Sequence, residues 1–160
     1  MSDSIAYAHI FSWIQEFKAL TKFRLAVSVV FSSVAGYLLG VDEFQFQNLL
    51  FLAVGGYAMV GASNAFNQII EKDLDLKMKR TQNRPIPSGA MSVNTAFAIA
   101  SILTILGLSL LFVINPITAM FGAISIFLYV SIYTPLKTIT PLSVFVGAFP
   151  GAIPFMLGWV

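Results

Sequence analysis

Residues 48–85 read NLLFLAVGGYAMVGASNAFNQIIEKDLDLKMKRTQNRP. An apolar stretch long enough to cross a bilayer runs without interruption into residues 67–85, which carry eight of the sixteen charged side chains of the whole sequence. Elsewhere the chain is greasy. It is 58% hydrophobic and only 10% charged, with a mean hydropathy of +0.84, whereas an ordinary soluble domain is roughly 45–50% apolar and about 25% charged. Such a composition belongs in a membrane. The absence of cysteine excludes disulfides and thiolate metal sites. A net charge of +2 is too small to be the electrostatic footprint of a nucleic-acid-binding surface.

Working outward from the quoted stretch, five apolar segments are expected as membrane spans, near 23–40, 48–66, 93–114, 117–134 and 142–160. Each approaches the roughly 20 residues a helix needs to cross the hydrocarbon core. The separators are break signals: VDEFQFQN, the charged stretch with its continuation to residue 90, Asn115-Pro116, and TPLKTITP. Only helices and closed barrels satisfy their backbone in lipid, and long uninterrupted apolar runs are unlike the alternating strands of a barrel. The fold class expected is therefore all-α, a polytopic transmembrane helix bundle. Residues 1–20 differ from a cleavable signal, because Met1 to Phe17 carries Asp3, His9 and Glu16 but no Lys or Arg. Ile10, Trp13, Ile14 and Phe17 recur at helical spacing, which predicts a short interfacial helix anchored by Trp13.

Lys and Arg occur at 18, 22 and 24, then between 72 and 84, then at 137, and are absent from the loops at 41–47 and 115–116. By the positive-inside rule this alternation places the N-terminus, the charged stretch and the Lys137 loop in the cytoplasm or its matrix equivalent. Small residues within the spans, among them Gly36, Gly40, Gly55, Gly56, Gly61, Gly147 and Gly151, are expected to let helix backbones approach closely. They are not a phosphate-binding glycine loop, which would need a preceding strand. Some of the fifteen phenylalanines are candidates to line a pocket for a hydrophobic substrate.

On a helix advancing about 100° per residue, Asn67, Glu71 and Asp75 share one face, together with Leu74 and Met78. Asp73 points away and sits four residues before Lys77, the spacing of a helix ion pair. An amide oxygen and two carboxylates on one face are hard ligands suited to a magnesium ion held chiefly through substrate phosphates. Just beyond them, Arg80 and Arg84 offer planar forks that match phosphate oxygens, and Lys72, Lys77 and Lys79 act as point charges. A solvated loop that merely fixes topology is the alternative. Against it, carboxylates serve no topological purpose, and the preceding span ends in Ser63, Asn64, Asn67 and Gln68, as though a polar face descended into a cavity.

These residues carry a resemblance. NAFNQIIEKDLDLKMKRTQNRPIPSGAMS resembles the first acidic motif of the UbiA superfamily of intramembrane prenyltransferases, in its heme-prenylating branch. The superfamily's N-x-x-x-D-x-x-x-D pattern is represented by Asn67, Glu71 and Asp75, with the branch's Glu in the first acidic position. The tail M-x-R-T-x-x-R-P, as Met78, Arg80, Thr81, Arg84 and Pro85, is more specific than the acids. YTPLKTITPL at 133–142 and VGAFPGAIPFMLGWV at 146–160 are similar to the branch's later loop and fifth helix, and TKFR at 21–24 is similar to its TKPR, with Phe23 in place of proline. Members of the superfamily have about nine transmembrane helices and a second acidic motif, so this sequence is expected to be an N-terminal portion, with about five of those helices, and to be inactive alone.

The resemblance implies transfer of farnesyl from farnesyl diphosphate to a vinyl group of protoheme IX, giving heme O, with Mg2+ as cofactor, in the bacterial inner membrane. It implies that Asn67, Glu71 and Asp75 bind the metal, and that Arg80, Arg84 and Lys137 bind diphosphate, assisted by Lys22, Arg24 and Tyr133. Tyr133 has an alternative reading as an interfacial anchor, and His9 as a heme ligand is set aside as an incidental histidine. The lipid bilayer is a partner, and contacts with other membrane proteins of heme synthesis or oxidase assembly are expected. Three competing readings are another aromatic prenyltransferase of the superfamily, a non-catalytic assembly module, and an ion-coupled transporter. A transporter would bind its cation near the bilayer midplane, away from an arginine cluster that repels it.

Overall fold

A computed structural model describes the backbone of residues 2–159 and the side chains of residue 7 and residues 10–159. The described residues form helices and no strands. They are α1 (Ser2–Leu20), α2 (Phe23–Gly40), α3 (Phe46–Ile70), α4 (Lys72–Lys77), α5 (Val93–Ile114), α6 (Pro116–Phe127), a π-helical segment (Leu128–Tyr133), α7 (Thr134–Leu136) and α8 (Ser143–Trp159). Helix α3 is central and packs against α2, α5 and α6, while α2 also packs against α8.

Local chemistry explains the boundaries. Asn115 caps α6 by accepting from the Ile117 amide at 2.9 Å, and Pro116 occupies the first turn, where its missing N–H costs nothing. Ser92 caps α5 in the same way through the Thr95 amide at 3.0 Å. The fourth span is longer than expected. It continues unbroken from Pro116 to Leu136 because Pro135 is accommodated within the helix. A proline inside a helix removes one backbone bond and crowds the carbonyl four residues earlier, and the wider turn over Leu128–Tyr133 relieves that crowding.

Among the described residues, four helices have the length and composition to cross a membrane: α2, α3, α5 and the stretch Pro116–Leu136. Over the fifth expected span, 142–160, lies α8, an apolar helix of 17 described residues that contains Pro150 and Pro154.

Two apolar clusters hold the bundle. Tyr37, Leu52, Met59, Leu111, Ile153 and Leu157 form one. Leu20, Ala65, Ile86, Met91, Ala96 and Ala100 form the other, beneath the charged stretch. Glycine packing is partly as expected. A Cβ at Gly36 would collide with the Phe155 carbonyl, and one at Gly158 with the Ser33 carbonyl and Tyr37 amide, so α2 and α8 meet backbone to backbone. Gly151 is different, because a Cβ there would touch nothing; it borders open space.

Candidate active site

The acidic motif does not lie on one continuous helix. Helix α3 ends at Ile70, Glu71 occupies the joint with φ −93° and ψ 5°, and α4 starts at Lys72. The break turns Glu71 and Asp75 inward, where they are 5% and 4% exposed, with Asn67 at 1%. Carboxylates almost never sit this deep without partners. Leu74 and Met78, expected on the same face, are instead exposed, since α4 begins a new register and Met78 has already left the helix in an extended conformation. Asp73 is exposed, apart from the two buried acids. The spacing that suggested an Asp73–Lys77 ion pair does not produce one among the described residues, because α4 is a single short exposed turn.

Each buried acid has a cation. Arg84 Nη1 donates to Asp75 Oδ2 at 2.7 Å, and Lys137 Nζ lies 2.6 Å from Glu71 Oε1 without the alignment of a regular hydrogen bond. Arg84 reaches back because the loop after α4 folds over it: Thr81, itself buried, donates its hydroxyl to the Asp75 carbonyl at 2.9 Å. Lys22 completes the cluster from the α1–α2 corner, with left-handed φ and ψ of 49° and 57°. Its ammonium is pushed down from the ordinary 10.5 to about 8, chiefly by burial and then by Arg84 and Lys137, with Glu71 and Asp75 opposing them. Three cations against two carboxylates leave an excess of positive charge around a buried point, an arrangement that favours an anion.

The corner carrying Lys22 is fastened by residues read from the sequence as a cavity-facing polar stripe. Asn64 Nδ2 donates to the Thr21 carbonyl at 3.2 Å, and Gln68 Nε2 donates to the Ala19 and Leu20 carbonyls at 3.1 and 2.9 Å. Phe23, where the resemblance led to proline, starts α2 and packs edge-on against Tyr57, with ring centroids 5.9 Å apart. A non-glycine residue held in the left-handed region carries strain that only well-ordered surroundings sustain.

From the opposite side, the π segment and α7 present Thr134 and Lys137 to α3. Thr134 Oγ1 lies 3.2 Å from Asn67 Oδ1 and 2.8 Å from the Tyr129 carbonyl, and Asn67 Nδ2 donates to Glu71 Oε2 at 2.8 Å. Next to this network an apolar cavity of about 450 Å³ extends between α2, α3, the π segment and α8, bordered by Val29, Val60, Asn64, Tyr129, Tyr133 and Pro154. Its aromatic wall is made of tyrosines. Tyr129 and Tyr133 meet at a tilt of 33° with centroids 5.2 Å apart, and among the described residues no phenylalanine borders the cavity. Lys137 Nζ lies 6.0 Å from the centroid of the Tyr133 ring, so the cavity and the ion-paired cluster share a wall.

Of the residues singled out in the sequence, Asn67, Glu71, Asp75, Arg84, Lys137 and Lys22 converge, with Tyr133 adjoining. Arg80 and Arg24 do not. Both are exposed and neither forms an ion pair among the described residues. The side chain of His9 lies outside the described residues. Sequence reasoning missed the roles of Thr81, Thr134 and Tyr129. The only available signals were that Thr81 lies within the M-x-R-T-x-x-R-P tail and that Thr134 precedes Lys137 by three, on one helical face.

Residues 29–160 match the profile of the UbiA prenyltransferase family. The chain belongs to that family. Among its relatives, the protoheme IX farnesyltransferase of Flavobacterium psychrophilum is 73% identical over 93% of this UbiA-family chain and 51% of that protein. The protein of the same name from Christiangramia forsetii is 69% identical over 100% of the chain and 53% of its own length. A mitochondrial protoheme IX farnesyltransferase of Yarrowia lipolytica is 42% identical over 92% of the chain and 32% of that protein. The chain thus spans about half the length of the bacterial relatives it matches.

Solved structures agree on the fold. A digeranylgeranylglyceryl phosphate synthase superposes with a TM-score of 0.84 at 22% identity, over 91% of this chain and 52% of that one. A UbiA homologue from Archaeoglobus fulgidus, solved with DMAPP and Mg2+, gives 0.81 at 15% identity, over 90% and 53%. With its apolar spans and its family, the UbiA-family chain is an integral membrane protein.

Proposed function

We propose that the protein of which this chain forms part transfers the farnesyl group of farnesyl diphosphate to a vinyl side chain of protoheme IX, yielding heme O. The observation that carries this reading is the placement of a buried, net-positive cluster of Lys22, Arg84 and Lys137 around two carboxylates, at the wall of an apolar cavity. An amphiphile with a diphosphate head and an isoprenoid tail matches that pairing. Protoheme as acceptor is supported by the 73% and 69% identity to proteins named for that substrate.

The residues fit a divalent cation. Glu71 Oε1 is a buried carboxylate oxygen that accepts no aligned hydrogen bond and faces the Lys137 ammonium at 2.6 Å, so it is already placed against positive charge, and Asn67 Oδ1 has a second lone pair beyond the one facing Thr134. No group of three Asp, Glu, His or Cys among the described residues would hold an ion unaided. That suits Mg2+, which typically takes one or two carboxylates and completes its shell with phosphate oxygens and water. Asn67, Glu71 and Asp75 would hold it. When bound, it would supply neutralisation of the charge that builds on the leaving diphosphate.

Arg84, Lys137 and Lys22 grip the diphosphate, with Tyr133 beside it and Arg80 and Arg24 as outer cations that guide the anion inward. Preorganised cations of this kind stabilise the bond-breaking transition state. The allylic C–O bond breaks with its electron pair leaving on diphosphate. The vinyl π electrons then form the new C–C bond to the farnesyl cation, and water adds to the resulting benzylic-type cation and loses a proton, leaving a hydroxyl. The cavity keeps bulk water from the farnesyl cation until the vinyl group reaches it.

The N-terminus, the charged stretch and the Lys137 loop face the cytoplasm of the bacterial inner membrane in this reading, following the distribution of Lys and Arg. Membrane proteins that supply protoheme or use heme O are the natural neighbours. The test is farnesyl transfer to protoheme by the full-length protein, followed by mass detection of heme O and by diphosphate release. Transfer that is independent of magnesium, or that survives Asp75→Asn and Arg84→Ala at full rate, overturns the proposal.

A further inference from the structure

We infer that Thr134 is a positioning residue of the metal–diphosphate site, fixing the amide of Asn67 and, through it, the carboxylate of Glu71. Thr134 is 1% exposed and its hydroxyl is within reach of two acceptors, Asn67 Oδ1 at 3.2 Å and the Tyr129 carbonyl at 2.8 Å. A threonine hydroxyl has one proton and two lone pairs. The Tyr129 carbonyl already accepts from the Thr134 backbone amide, five residues on, which closes the wide turn. The hydroxyl is therefore not required to close that turn. Asn67 Oδ1, on a side chain that is 1% exposed, has Thr134 Oγ1 as its side-chain donor.

Geometry makes the hydroxyl consequential. Asn67 Nδ2 donates to Glu71 Oε2 at 2.8 Å, so the two ends of one amide are engaged, one by Thr134 and the other by the carboxylate. Thr134, which starts α7, and Lys137, at its C-cap, meet Asn67 near the end of α3 and Glu71 at the joint that follows it, as a matched pair of contacts. Lys137 neutralises Glu71, and Thr134 sets its direction through Asn67. A side chain that orients a metal-binding carboxylate in this way commonly changes metal affinity by about 10- to 100-fold when removed. The π segment supplies the register that brings both residues to α3, in keeping with the frequent occurrence of such wide turns at functional sites.

The inference rests on the prenyltransferase reading, and the experiment separates the two. The full-length protein and its Thr134→Val, Thr134→Ala and Thr134→Ser variants are titrated with Mn2+ in the presence of inorganic pyrophosphate, with free Mn2+ read by electron paramagnetic resonance. The Mg2+ dependence of KM and kcat for farnesyl transfer is measured alongside. Thr134→Val is expected to weaken Mn2+ binding about tenfold or more and to raise the Mg2+ requirement more than it lowers kcat at saturating Mg2+. Thr134→Ser, which keeps the hydroxyl, is expected to bind as the wild type does.

Wild-type affinity in Thr134→Val, or a Thr134→Ser variant as weak as Thr134→Val, would overturn the role of the hydroxyl while leaving the prenyltransferase reading intact. A wild type that binds no Mn2+ with pyrophosphate overturns both. Failure of both Thr134→Val and Thr134→Ala to fold, while Thr134→Ser folds, assigns the hydroxyl to folding alone and overturns the inference.

Discussion

Lys137 Nζ sits 2.6 Å from Glu71 Oε1, joining the end of the fourth span to the end of the second. Glu71 is 6% exposed at its side chain and Lys137 37%, so the pair is half in the protein and half at its rim. Removing one partner of a buried pair leaves a desolvated charge behind, which costs several kcal/mol when both are buried and less at a rim. Lys137→Met is expected to lower stability by on the order of 1–2 kcal/mol and to abolish diphosphate binding. Adding Glu71→Gln should restore much of the stability and none of the transfer activity. Thermal unfolding of the two single variants and the double variant, read as a cycle, checks this; purely additive losses would contradict it.

The contact between Arg84 and Asp75 at 2.7 Å concerns geometry as much as charge. Arg84→Lys keeps the charge but loses the planar fork, so a substantial part of the transfer rate should be lost. Arg84→Ala should cost about 10²- to 10³-fold in kcat, the range for a single preorganised donor. Thr81→Val, which removes the hydroxyl bonded to the Asp75 carbonyl, is expected to destabilise by about 1 kcal/mol and to raise KM for farnesyl diphosphate by loosening the loop that carries Arg84. Steady-state kinetics and thermal unfolding read both effects.

Lys22 titrates at about 8 in the folded protein against an ordinary 10.5, with burial as the main cause. Below the lower value it is charged in folded and unfolded chains alike, and the cost of its burial is present in full. Between the two values the unfolded chain holds a proton that the folded chain has released, so stability rises with pH. Wild-type stability minus that of Lys22→Met should therefore increase from pH 8 to pH 10. Over the same range the affinity for pyrophosphate should fall in the wild type, because the site loses a cation, and should fall less in Lys22→Met. Parallel melting curves and pyrophosphate titrations at each pH are the measurements.

Gly36 and Gly151 make a pair of opposite cases. A Cβ at Gly36 meets the Phe155 backbone, which has no rotamer to give, so Gly36→Ala should separate α2 from α8 and cost about 1–3 kcal/mol. At Gly151 a Cβ meets nothing, and Gly151→Ala should leave melting unchanged or slightly raised, since alanine is the better helix former. Because Gly151 borders the cavity, Gly151→Ala should instead alter KM for the prenyl donor. Melting temperatures that fall equally in the two variants would contradict the contrast.

The class of the molecule was legible early. Apolar run lengths, the breaks at Asn115-Pro116 and TPLKTITP, and the rhythm of Lys and Arg depend only on hydropathy and backbone hydrogen bonding. Those are local properties, and α2 and α5 match their expected spans, 23–40 and 93–114, at both ends. Part of the side-chain cluster was legible too, because Asn67, Glu71, Asp75 and Arg84 lie within one short stretch, and the structure brings their side chains into contact. Arg80 shows the limit of that reading. It has the right residue type near the right place, yet the loop turns it outward and Arg84 inward, a choice made by Thr81 and the Asp75 carbonyl.

By itself, then, the sequence determined a helical membrane protein with carboxylate, amide and basic side chains concentrated in one short stretch, since composition and spacing are written in the order of residues. Tertiary structure alone decided which acid meets which cation, that Asn64 and Gln68 fasten the corner carrying Lys22, and that a π turn brings Thr134 and Lys137 to Asn67 and Glu71. Each of these is a contact between distant segments. Side-chain burial and a one-residue change of helical register set them, and neither leaves a periodic mark along the chain.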